Sequence, residues 1–508
     1  MDALPRRGPP PVEPAHVELV HDPEMGALLY RIVEPELDAA ELALLAEARD
    51  RLFDSDMPPP HDPEDAARRL GHRIEEIARN DPRLADAARR ERIYGRLRRD
   101  LLGFGPIDLA VGDPDIEDVS CDGVGVPIYV HHRRLGSLRT NVRFSSAREL
   151  DRYVVWLAQR SGRHLSRADP LLEATLPGGA RLEASLGSQI TTRGSTFTIR
   201  RFRERGFSPV DLVRLGTASA QVMAYLWLSV EFGQSFMVCG GTASGKTTTL
   251  NALLQFVPSG RKVVSIEDTR ELDLARENWV PLRTRGASAG RERSGGGAPS
   301  GPVDMFDLLT TAMRQRPQFL VVGEVRGREA YTVFQAIATG KSCATTFHAD
   351  SVRAMVQRME SPPIGLPRAL ISELPLILLE RQVRVGDAPA RRIDSVVEID
   401  GLDPDTEEIV ASTIFDWEAG SDRFEFTGHS RLLDRLATER GTGPESAMRE
   451  LARREELLQR WANAPPDTEG RRSFDRGLAA YARDPEGTLG SARDAPGPAA
   501  PIDAGRGL

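Results

Sequence analysis

Residues 240–247 limit the possible folds of this sequence more than any other segment. They read Gly-Gly-Thr-Ala-Ser-Gly-Lys-Thr and fit the pattern G-x-x-x-x-G-K-[ST]. The apolar run at 236–239 precedes them and predicts a strand, and the run at 248–257 follows them and predicts a helix. A strand, a glycine-rich loop and a helix in this order predict a phosphate-binding loop, or P-loop. A glycine-rich turn without a ligand is the structural alternative.

The residue types in this loop suit the binding of a nucleotide. Glycines let successive backbone N–H groups point at an anion, because a Cβ would obstruct the dihedral angles and the approaching phosphate. Lys246 would bridge the β- and γ-phosphates of ATP, and the Thr247 hydroxyl would hold Mg²⁺, with Thr248 as a second candidate. The predicted cofactors are ATP and Mg²⁺. The predicted nucleotide-binding residues are Gly240, Gly241, Thr242, Ala243, Ser244, Gly245, Lys246, Thr247 and Thr248.

Apolar runs alternate with helical stretches between residues 221 and 360. The runs with strand character are SFMVC, KVVSI, FLVV and CATTF, and the helical stretches between them are TTTLNALLQFV, MFDLLTTAMR and YTVFQAIA. This alternation is typical of βαβ units and predicts a parallel sheet. Open α/β sheets bind their ligands at the carboxyl ends of the strands. Polar residues at these ends are therefore the candidates for catalysis.

The strand candidate ValValSerIle ends in two acidic residues, Glu267 and Asp268. A carboxylate at Glu267 could orient or deprotonate the attacking water, which typically speeds a reaction by about 10²–10⁴-fold. Glu271 is the alternative for this role. Carboxylates at strand ends also cap helices or pair with arginines such as Arg270, and this structural role stays open for Glu267.

Two further polar residues follow strand candidates. Glu324 comes after the run Phe319–Val322 and Gly323, at the position of an acidic group beside the metal. Because Glu is longer than the Asp usual at this position, we expect it to contact Mg²⁺ through water, and pairing with Arg326 is the structural alternative. His348 closes the run CATTF, where it is either a sensor of the γ-phosphate or a structural histidine.

The amino-terminal part of the chain divides into an extension and a domain. Residues 1–65 are proline-rich and acidic and predict a flexible extension with one short helix near Asp38–Phe53. Residues 66–203 predict a smaller α+β domain, with a helix at Ala147–Arg160. The strand-like runs of this domain are IEDVSC, PIYVHHRR, RTNVRF, ARLEASLG and STFTIRRF. Residues 204–208 predict a hinge, because they combine a Gly and a Pro before a helical run.

The remainder of the chain starts with the P-loop domain, which we place at residues 209–433. Inside it, residues 286–303 are rich in Gly and predict a flexible loop, and the sequence after Pro362 predicts a helical cluster followed by a small β segment. Residues 434–484 predict helices, and residues 485–508 predict a disordered tail. The predicted fold class is α/β, with a parallel-sheet domain preceded by the smaller α+β domain.

Composition narrows the functional classes. The chain has 67 Lys and Arg against 75 Asp and Glu, a formal net charge of −8, which argues against a general nucleic-acid binder. Its three cysteines, Cys121, Cys239 and Cys343, are far apart and cannot form a disulfide framework or a zinc site. Neither a signal peptide nor a run of about 18 apolar residues is found. We therefore expect a cytoplasmic protein that associates with a membrane only through a partner.

Four segments resemble, in order and spacing, the Walker A, Asp box, Walker B and His box of the type II/type IV secretion ATPase superfamily. They are GGTASGKTTTLNALL, SIEDTRELDL, LLTTAMRQRPQFLVVGEVRGREAYTVFQAIATG and ATTFHADS. Two more segments, RENWVPLRTR and SPPIGLPRALISELPLILLERQVR, look most like its archaeal branch, the motors of archaeal pili and of the archaellum. The resemblance covers about residues 101–433. The zinc-binding tetracysteine element of bacterial type II members is absent from the sequence, which weakens an assignment to that group.

The resemblance implies an architecture and a set of roles. It implies a RecA-like motor domain behind the amino-terminal domain, in a homo-hexameric ring with ATP between the subunits. Glu267 would be the catalytic base, Glu324 would complete Walker B and contact Mg²⁺, and His348 would be the His-box residue. The family also supplies arginines from the amino-terminal domain to neutralise charge on the γ-phosphate. The candidates for this role are Arg181, Arg193 and Arg200.

The leading functional hypothesis is a ring ATPase that drives assembly of a pilus-like filament or protein export. Its expected partners are further copies of the chain and a polytopic membrane platform protein, and no nucleic acid. One alternative is a nucleic-acid translocase in which Arg285, Arg291 and Arg293 contact phosphates. A second alternative is a scaffold that binds the nucleotide without hydrolysing it.

Overall fold

Two compact units make up the protein, and they divide the chain between Phe202 and Arg203. The computed structural model describes residues 14–22, 26–53, 63–84, 86–133, 135–201, 206–285, 302–386, 388–439, 441, 443–465 and 471–493. Each unit has its own sheet and its own buried core. Most of the predicted loop at 286–303 and two residues of the predicted hinge at 204–208 lie outside the described residues.

The first unit contains a mixed sheet and five helices among its described residues. The strands are β1 (His16–Asp22), β2 (Ala27–Val33), β3 (Ile116–Cys121), β4 (Pro127–His132), β5 (Gly136–Arg143), β6 (Leu171–Thr175), β7 (Arg181–Ser185) and β8 (Thr196–Arg200). The helices are α1 (Ala39–Phe53), α2 (Pro63–Asn80), α3 (Ala87–Leu101), α4 (Asp108–Gly112) and α5 (Ala147–Arg160). The strand order is β1-β2-β5-β4-β3-β8-β7-β6. All neighbours in this order are antiparallel except β2 and β5, which are parallel.

The structure differs from the prediction of a flexible extension over residues 1–65. Strands β1 and β2 form a hairpin that joins the sheet through β5, and Tyr30 and Ile32 are buried in its core. Helix α1 contributes Leu44 to a second core with α2 and α3. The reason is that the two strands are short and lie in proline-rich sequence, while the pairing that brings them into the sheet joins β2 to β5, more than a hundred residues away.

The second unit contains a larger sheet flanked by helices. Its strands are β9 (Phe236–Gly240), β10 (Val263–Glu267), β11 (Trp279–Arg283), β12 (Phe319–Val322), β13 (Ser342–Phe347), β14 (Leu376–Val385), β15 (Ala388–Leu402), β16 (Ile409–Glu418) and β17 (Arg423–Phe426). Its helices are α6 (Pro209–Arg214), α7 (Ala220–Glu231), α8 (Lys246–Leu253), α9 (Met305–Arg314), α10 (Glu329–Ala338), α11 (Val352–Glu360), α12 (Arg368–Ile371), α13 (Arg431–Glu439), α14 (Pro444–Asn463), α15 (Arg471–Arg483) and α16 (Pro485–Arg493).

The strand order of this sheet is β11-β10-β12-β13-β9-β14-β15-β16-β17. The pairs from β11 to β14 are parallel, and the pairs from β14 to β17 are antiparallel. Strands β9, β10 and β12 are buried along their whole length, as expected of parallel strands with helices on both faces. The predicted fold class, an α/β domain with a parallel sheet preceded by an α+β unit, is confirmed.

Two segments of the second unit differ from the sequence prediction. The run Leu376–Val385, which we read as part of a helical cluster, forms β14 and pairs with β9. A short run of Leu and Ile has the same appearance in a buried helix and a buried strand, and only the pairing with β9 decides between them. Residues 485–493, predicted as disordered, form α16, and residues 494–508 lie outside the described part of the chain.

No helix in the described part of the chain combines the length and the apolar character that a bilayer crossing requires.

Candidate active site

The P-loop joins the buried strand β9 to helix α8. Its backbone turns at Ala243, with a φ of +60°, and at Gly245, with a φ of +112°. Gly245 is the residue before α8, so the loop delivers the chain directly into the first turn of the helix. The unpaired N–H groups of this first turn and the helix dipole favour an anion at this point. The local sequence thus forms the strand, loop and helix that the motif predicts.

Lys246 lies over the loop and points to a second strand. Its Nζ atom donates a hydrogen bond to the carbonyl oxygen of Gly241 at 2.6 Å and lies 3.3 Å from Nδ1 of His348. His348 directly follows β13, which is the neighbour of β9 in the sheet. Burial lowers the pKa of Lys246, and the carboxylates of Glu324 and Glu380 oppose this effect. The structure therefore brings together the P-loop lysine and the His-box histidine.

His348 extends the contact chain to Glu324. Its Nε2 atom lies 3.0 Å from Oε1 of Glu324. Burial and the charge of Lys246 lower the pKa of His348, while Glu324 acts in the opposite direction. A histidine with a lowered pKa is neutral at pH 7 and carries one ring hydrogen. With Lys246 donating to Nδ1, that hydrogen is placed on Nε2, where it faces the carboxylate of Glu324.

Glu324 is held by the turn that follows β12. Its Oε2 atom accepts a hydrogen bond from the guanidinium of Arg326, which is the structural pairing left open by the sequence. The turn itself is fixed by Glu329, whose Oε1 atom accepts the backbone N–H groups of Arg326 and Gly327 at 2.6 and 2.7 Å. Glu329 was missed by the sequence analysis. It orients Glu324 through the backbone of the intervening turn.

Glu267 lies at the tip of β10 and is 4% exposed. Its Oε1 atom accepts the backbone N–H groups of Glu271 and Leu272, both at 2.8 Å. Burial raises the pKa of Glu267 to about 7, against the lowering effect of these two N–H groups. A Cβ at Gly323 would lie 3.2 Å from Cγ of Glu267, so this glycine lets the Asp-box glutamate approach the residue before Glu324.

The residues present fit ATP and Mg²⁺. The Ser244 hydroxyl is a buried polar group that has no hydrogen-bond partner among the described residues. A Cβ at Gly240 or at Gly245 would clash with neighbouring atoms at 2.3 and 2.5 Å, so these two positions have no room for a side chain. Among the described residues, no group of three His, Cys, Asp or Glu side chains could hold a metal alone. A magnesium site here would therefore combine Thr247 and Glu324 with oxygens of the nucleotide and water.

The other predicted residues take different positions. Thr242 is exposed on the loop, and Thr247 and Thr248 lie half-buried on the first turn of α8. The three arginine candidates belong to the first unit. Arg181 on β7 lies 2.6 Å from Glu173, Arg200 on β8 lies 3.9 Å from Asp118, and Arg193 is exposed before β8. Their use at the nucleotide stays a prediction.

One buried acid at the site was not predicted from the sequence. Glu380 on β14 is 4% exposed and lies directly beneath the P-loop, paired in register with Gly240. The available signal was a single charged residue at the end of the apolar run LPLILLE. In a helix this residue would have no evident role. Only a strand that pairs with β9 brings Glu380 to the loop.

Comparison with known proteins agrees with this arrangement. A family described as type II/IV secretion system protein matches residues 125–418. An uncharacterized protein of Methanocaldococcus jannaschii, MJ0900, is 37% identical over 391 residues, which cover 76% of this chain and 69% of that protein. The type IV secretion system protein PtlH of Bordetella pertussis is 31% identical over 265 residues, which cover 46% of this chain and 76% of PtlH.

Among solved structures, the ATPase DotB of Legionella pneumophila aligns over 72% of this chain and 93% of its own, with 16% sequence identity and a TM-score of 0.40. The family match spans more than half of the chain and contains all four motif segments, from the P-loop to His348. The resemblance predicted from these motifs is thereby confirmed. The chain belongs to the type II/IV secretion system protein family.

Proposed function

We propose that this protein is an ATPase that works as a hexameric ring and powers assembly of a type IV pilus-like filament or protein secretion. The observation that carries the proposal is the contact chain from Lys246 through His348 to Glu324, formed at the carboxyl edge of the sheet beside the P-loop. Nucleotide binding alone needs only the loop. A histidine and a carboxylate placed against the loop lysine suit a site that responds to the terminal phosphate.

Each residue has a distinct part in this proposal. The loop amides and Lys246 hold the phosphates, and the move of Lys246 onto a phosphate would release its bonds to Gly241 and His348. Glu267 takes the proton of the attacking water on Oε2, since Oε1 is occupied by two backbone N–H groups. His348 contacts Lys246 through Nδ1 and Glu324 through Nε2, so a displacement of Lys246 would be transmitted to Glu324.

Mg²⁺, when bound with ATP, neutralises charge that develops on the phosphate oxygens. Thr247 and Glu324 are the residues that would hold it. Glu324 reaches this position from a turn that Glu329 fixes, so its carboxylate is available without a rearrangement of the backbone.

The ring and its partners extend the proposal beyond the second unit. Arg181, Arg193 and Arg200 of the first unit would neutralise charge on the γ-phosphate, and the segment 204–208 would act as the hinge. Rotation of one unit against the other would then be passed to a polytopic membrane platform protein. The segments RENWVPLRTR and SPPIGLPRALISELPLILLERQVR, which resemble the archaeal branch, support a motor of the archaeal pilus or archaellum type.

Two substitutions test the ATPase. Lys246→Ala should abolish ATP binding, because it removes the ammonium group that would leave the Gly241 carbonyl to bind the phosphates. Glu324→Gln should keep ATP binding and lower turnover by about a hundredfold or more. Lys262→Ala is the matched control, since Nζ of this lysine bonds Gln315, and it should change neither property. Binding is measured with a fluorescent ATP analogue and turnover by phosphate release.

Four results would contradict the proposal. Unchanged ATP binding by Lys246→Ala would exclude a nucleotide site at the loop. Unchanged phosphate release by Glu324→Gln, or none by the wild type, would favour the scaffold alternative. Stimulation by single-stranded DNA or RNA with a steep dependence on salt would favour the translocase alternative.

A further inference from the structure

Glu380 occupies an unusual place for an acid. It lies on β14, which pairs with β9 in parallel, and it is opposite Gly240, the first residue of the P-loop. Its side chain is 4% exposed, although it stands at the edge of the sheet where the site opens. Acidic residues are rarely this buried without a partner of opposite charge. A function is therefore expected for a carboxyl group at this position.

Both ends of the P-loop rest on Glu380. A Cβ at Gly240 would lie 2.3 Å from the backbone oxygen of Glu380, and a Cβ at Gly245 would lie 2.5 Å from its Oε1 atom. The same Oε1 atom accepts a hydrogen bond from Oγ1 of Thr249 at 3.0 Å, one turn into α8. One side chain thus touches the end of the loop and the start of the helix whose N–H groups face the phosphates.

The charges around Glu380 keep it compatible with an anion. Burial raises its pKa to about 8, while Thr249, Arg391 and Lys246 act to lower it. The raised pKa favours the protonated form of this carboxyl group, which does not repel a phosphate. Arg391, on the adjacent strand β15, donates from Nε to the carbonyl oxygen of Ala243 at 3.1 Å, so the same hairpin also holds the middle of the loop.

We propose that Glu380 is a positioning residue that keeps the P-loop in the shape required to bind the phosphates of ATP and ADP, and that it acts through Thr249 and Gly245. The inference rests on the proposed function, because it takes the loop to be a nucleotide site. It adds a residue from a strand that lies outside the four motifs. The acid supplies shape and a hydrogen-bond acceptor, and its charge is not required.

ADP affinity at pH 7 tests this role, with calorimetry as the measurement. Glu380→Ala removes the acceptor and leaves a cavity under Gly245, and we expect ADP to bind about tenfold more weakly or worse. Thr249→Val removes only the donor and should weaken binding by about two- to tenfold, the effect of one hydrogen bond. Glu380→Gln keeps the shape and an acceptor and should stay within about twofold of the wild type. The double variant with Glu380→Ala and Thr249→Val should bind ADP as weakly as Glu380→Ala alone, because the two residues share one hydrogen bond.

A matched control separates positioning from general loss of stability. Glu398 on β15 is another buried acid of the same sheet, 3% exposed, and it contacts Tyr225 and Ser430, which lie outside the P-loop. Glu398→Ala should lower the unfolding temperature without changing ADP affinity. If Glu398→Ala weakens ADP binding as much as Glu380→Ala does, Glu380 has only a structural role and the proposal is wrong.

Two further outcomes would overturn the inference. Wild-type affinity for ADP in both Glu380→Ala and Thr249→Val would show that the loop does not depend on Glu380. A tenfold loss in Glu380→Gln would show that charge is required. Lys246→Ala, measured in parallel, distinguishes the failure of the inference from the failure of the proposed function. If Lys246→Ala loses ADP binding while Glu380→Ala keeps it, the nucleotide site stands and only the role of Glu380 falls.

Discussion

At the tip of β10, the carboxyl group of Glu267 is subject to two opposing influences. The two backbone N–H groups that bond Oε1 favour the ionised form, whereas burial favours the protonated form. Burial is the larger effect, and the pKa of Glu267 is raised to about 7. A glutamate in water ionises near pH 4.3 and is a poor proton acceptor at neutral pH. At this site the same group is matched to general-base catalysis near pH 7.

The pH dependence of turnover checks this role. A base must be ionised to accept a proton, so kcat/KM for ATP should rise by about tenfold per pH unit below pH 6, bend near pH 7 and level off above pH 8. Glu271→Gln should keep a bent profile with the bend moved to lower pH, because it keeps the backbone N–H but removes a charge that raises the pKa of Glu267. Glu267→Gln should remove the activity. A flat profile between pH 6 and 8, or loss of the bend in Glu271→Gln, would assign the base elsewhere.

Among the elements, those with local sequence signals could be predicted and those that depend on distant pairing could not. Strand β9, the loop and α8 are contiguous, so the spacing of two Gly and one Lys was enough to predict them. The contact of Lys246 with His348 could be expected only in outline, from strand ends that share one edge. Glu380 reaches the loop because β14 pairs with β9 across more than a hundred residues of sequence, and no local pattern encodes that pairing.

A buried acid also joins three elements far from the loop. Glu398 on β15 accepts hydrogen bonds from the Tyr225 hydroxyl on α7 at 2.6 Å, from the Ser430 hydroxyl and from the backbone N–H of Arg431, the first residue of α13. Every bond here is buried or partly buried, where the loss of a donor is costly. The contact therefore contributes to holding α7 and α13 against the sheet.

Tyr225→Phe measures this contribution. Removal of one buried hydroxyl should lower the free energy of unfolding by about 1–3 kcal/mol, since Glu398 loses a donor that water cannot replace. The unfolding temperature should fall by about 2–4 °C for each kcal/mol. Tyr331→Phe, at a tyrosine that is 45% exposed, is the control and should leave it unchanged. Equal unfolding temperatures for both variants would mean that the bond adds nothing to stability.

For the whole molecule, the proposed function requires more than one copy of the chain. The second unit supplies the loop, Glu267 and Glu324, while the proposed arginines belong to the first unit. In a ring, either unit can serve the site of a neighbouring copy, and activity then depends on assembly. An isolated chain would bind ATP through the loop and hydrolyse it slowly.

Concentration dependence tests assembly directly. The specific ATPase activity should rise with protein concentration and reach a plateau where light scattering reports a hexamer. Adding Glu324→Gln chains to the wild type should lower activity more than dilution does, because inactive copies enter active rings. Constant specific activity from a stable monomer, with no effect of the added variant, would exclude the ring mechanism.

The position of Glu380 also bears on how this sequence can diverge. The obstacle at Gly240 is a backbone oxygen, 2.3 Å from the would-be Cβ, and every amino acid at 380 carries that atom. The obstacle at Gly245 is the carboxyl tip, which a shorter residue would withdraw, although a φ of +112° still disfavours any side chain there. Relatives are therefore expected to keep glycine at the first position regardless of residue 380. Relatives that carry another residue in place of Gly245 should carry a small residue in place of Glu380 on β14.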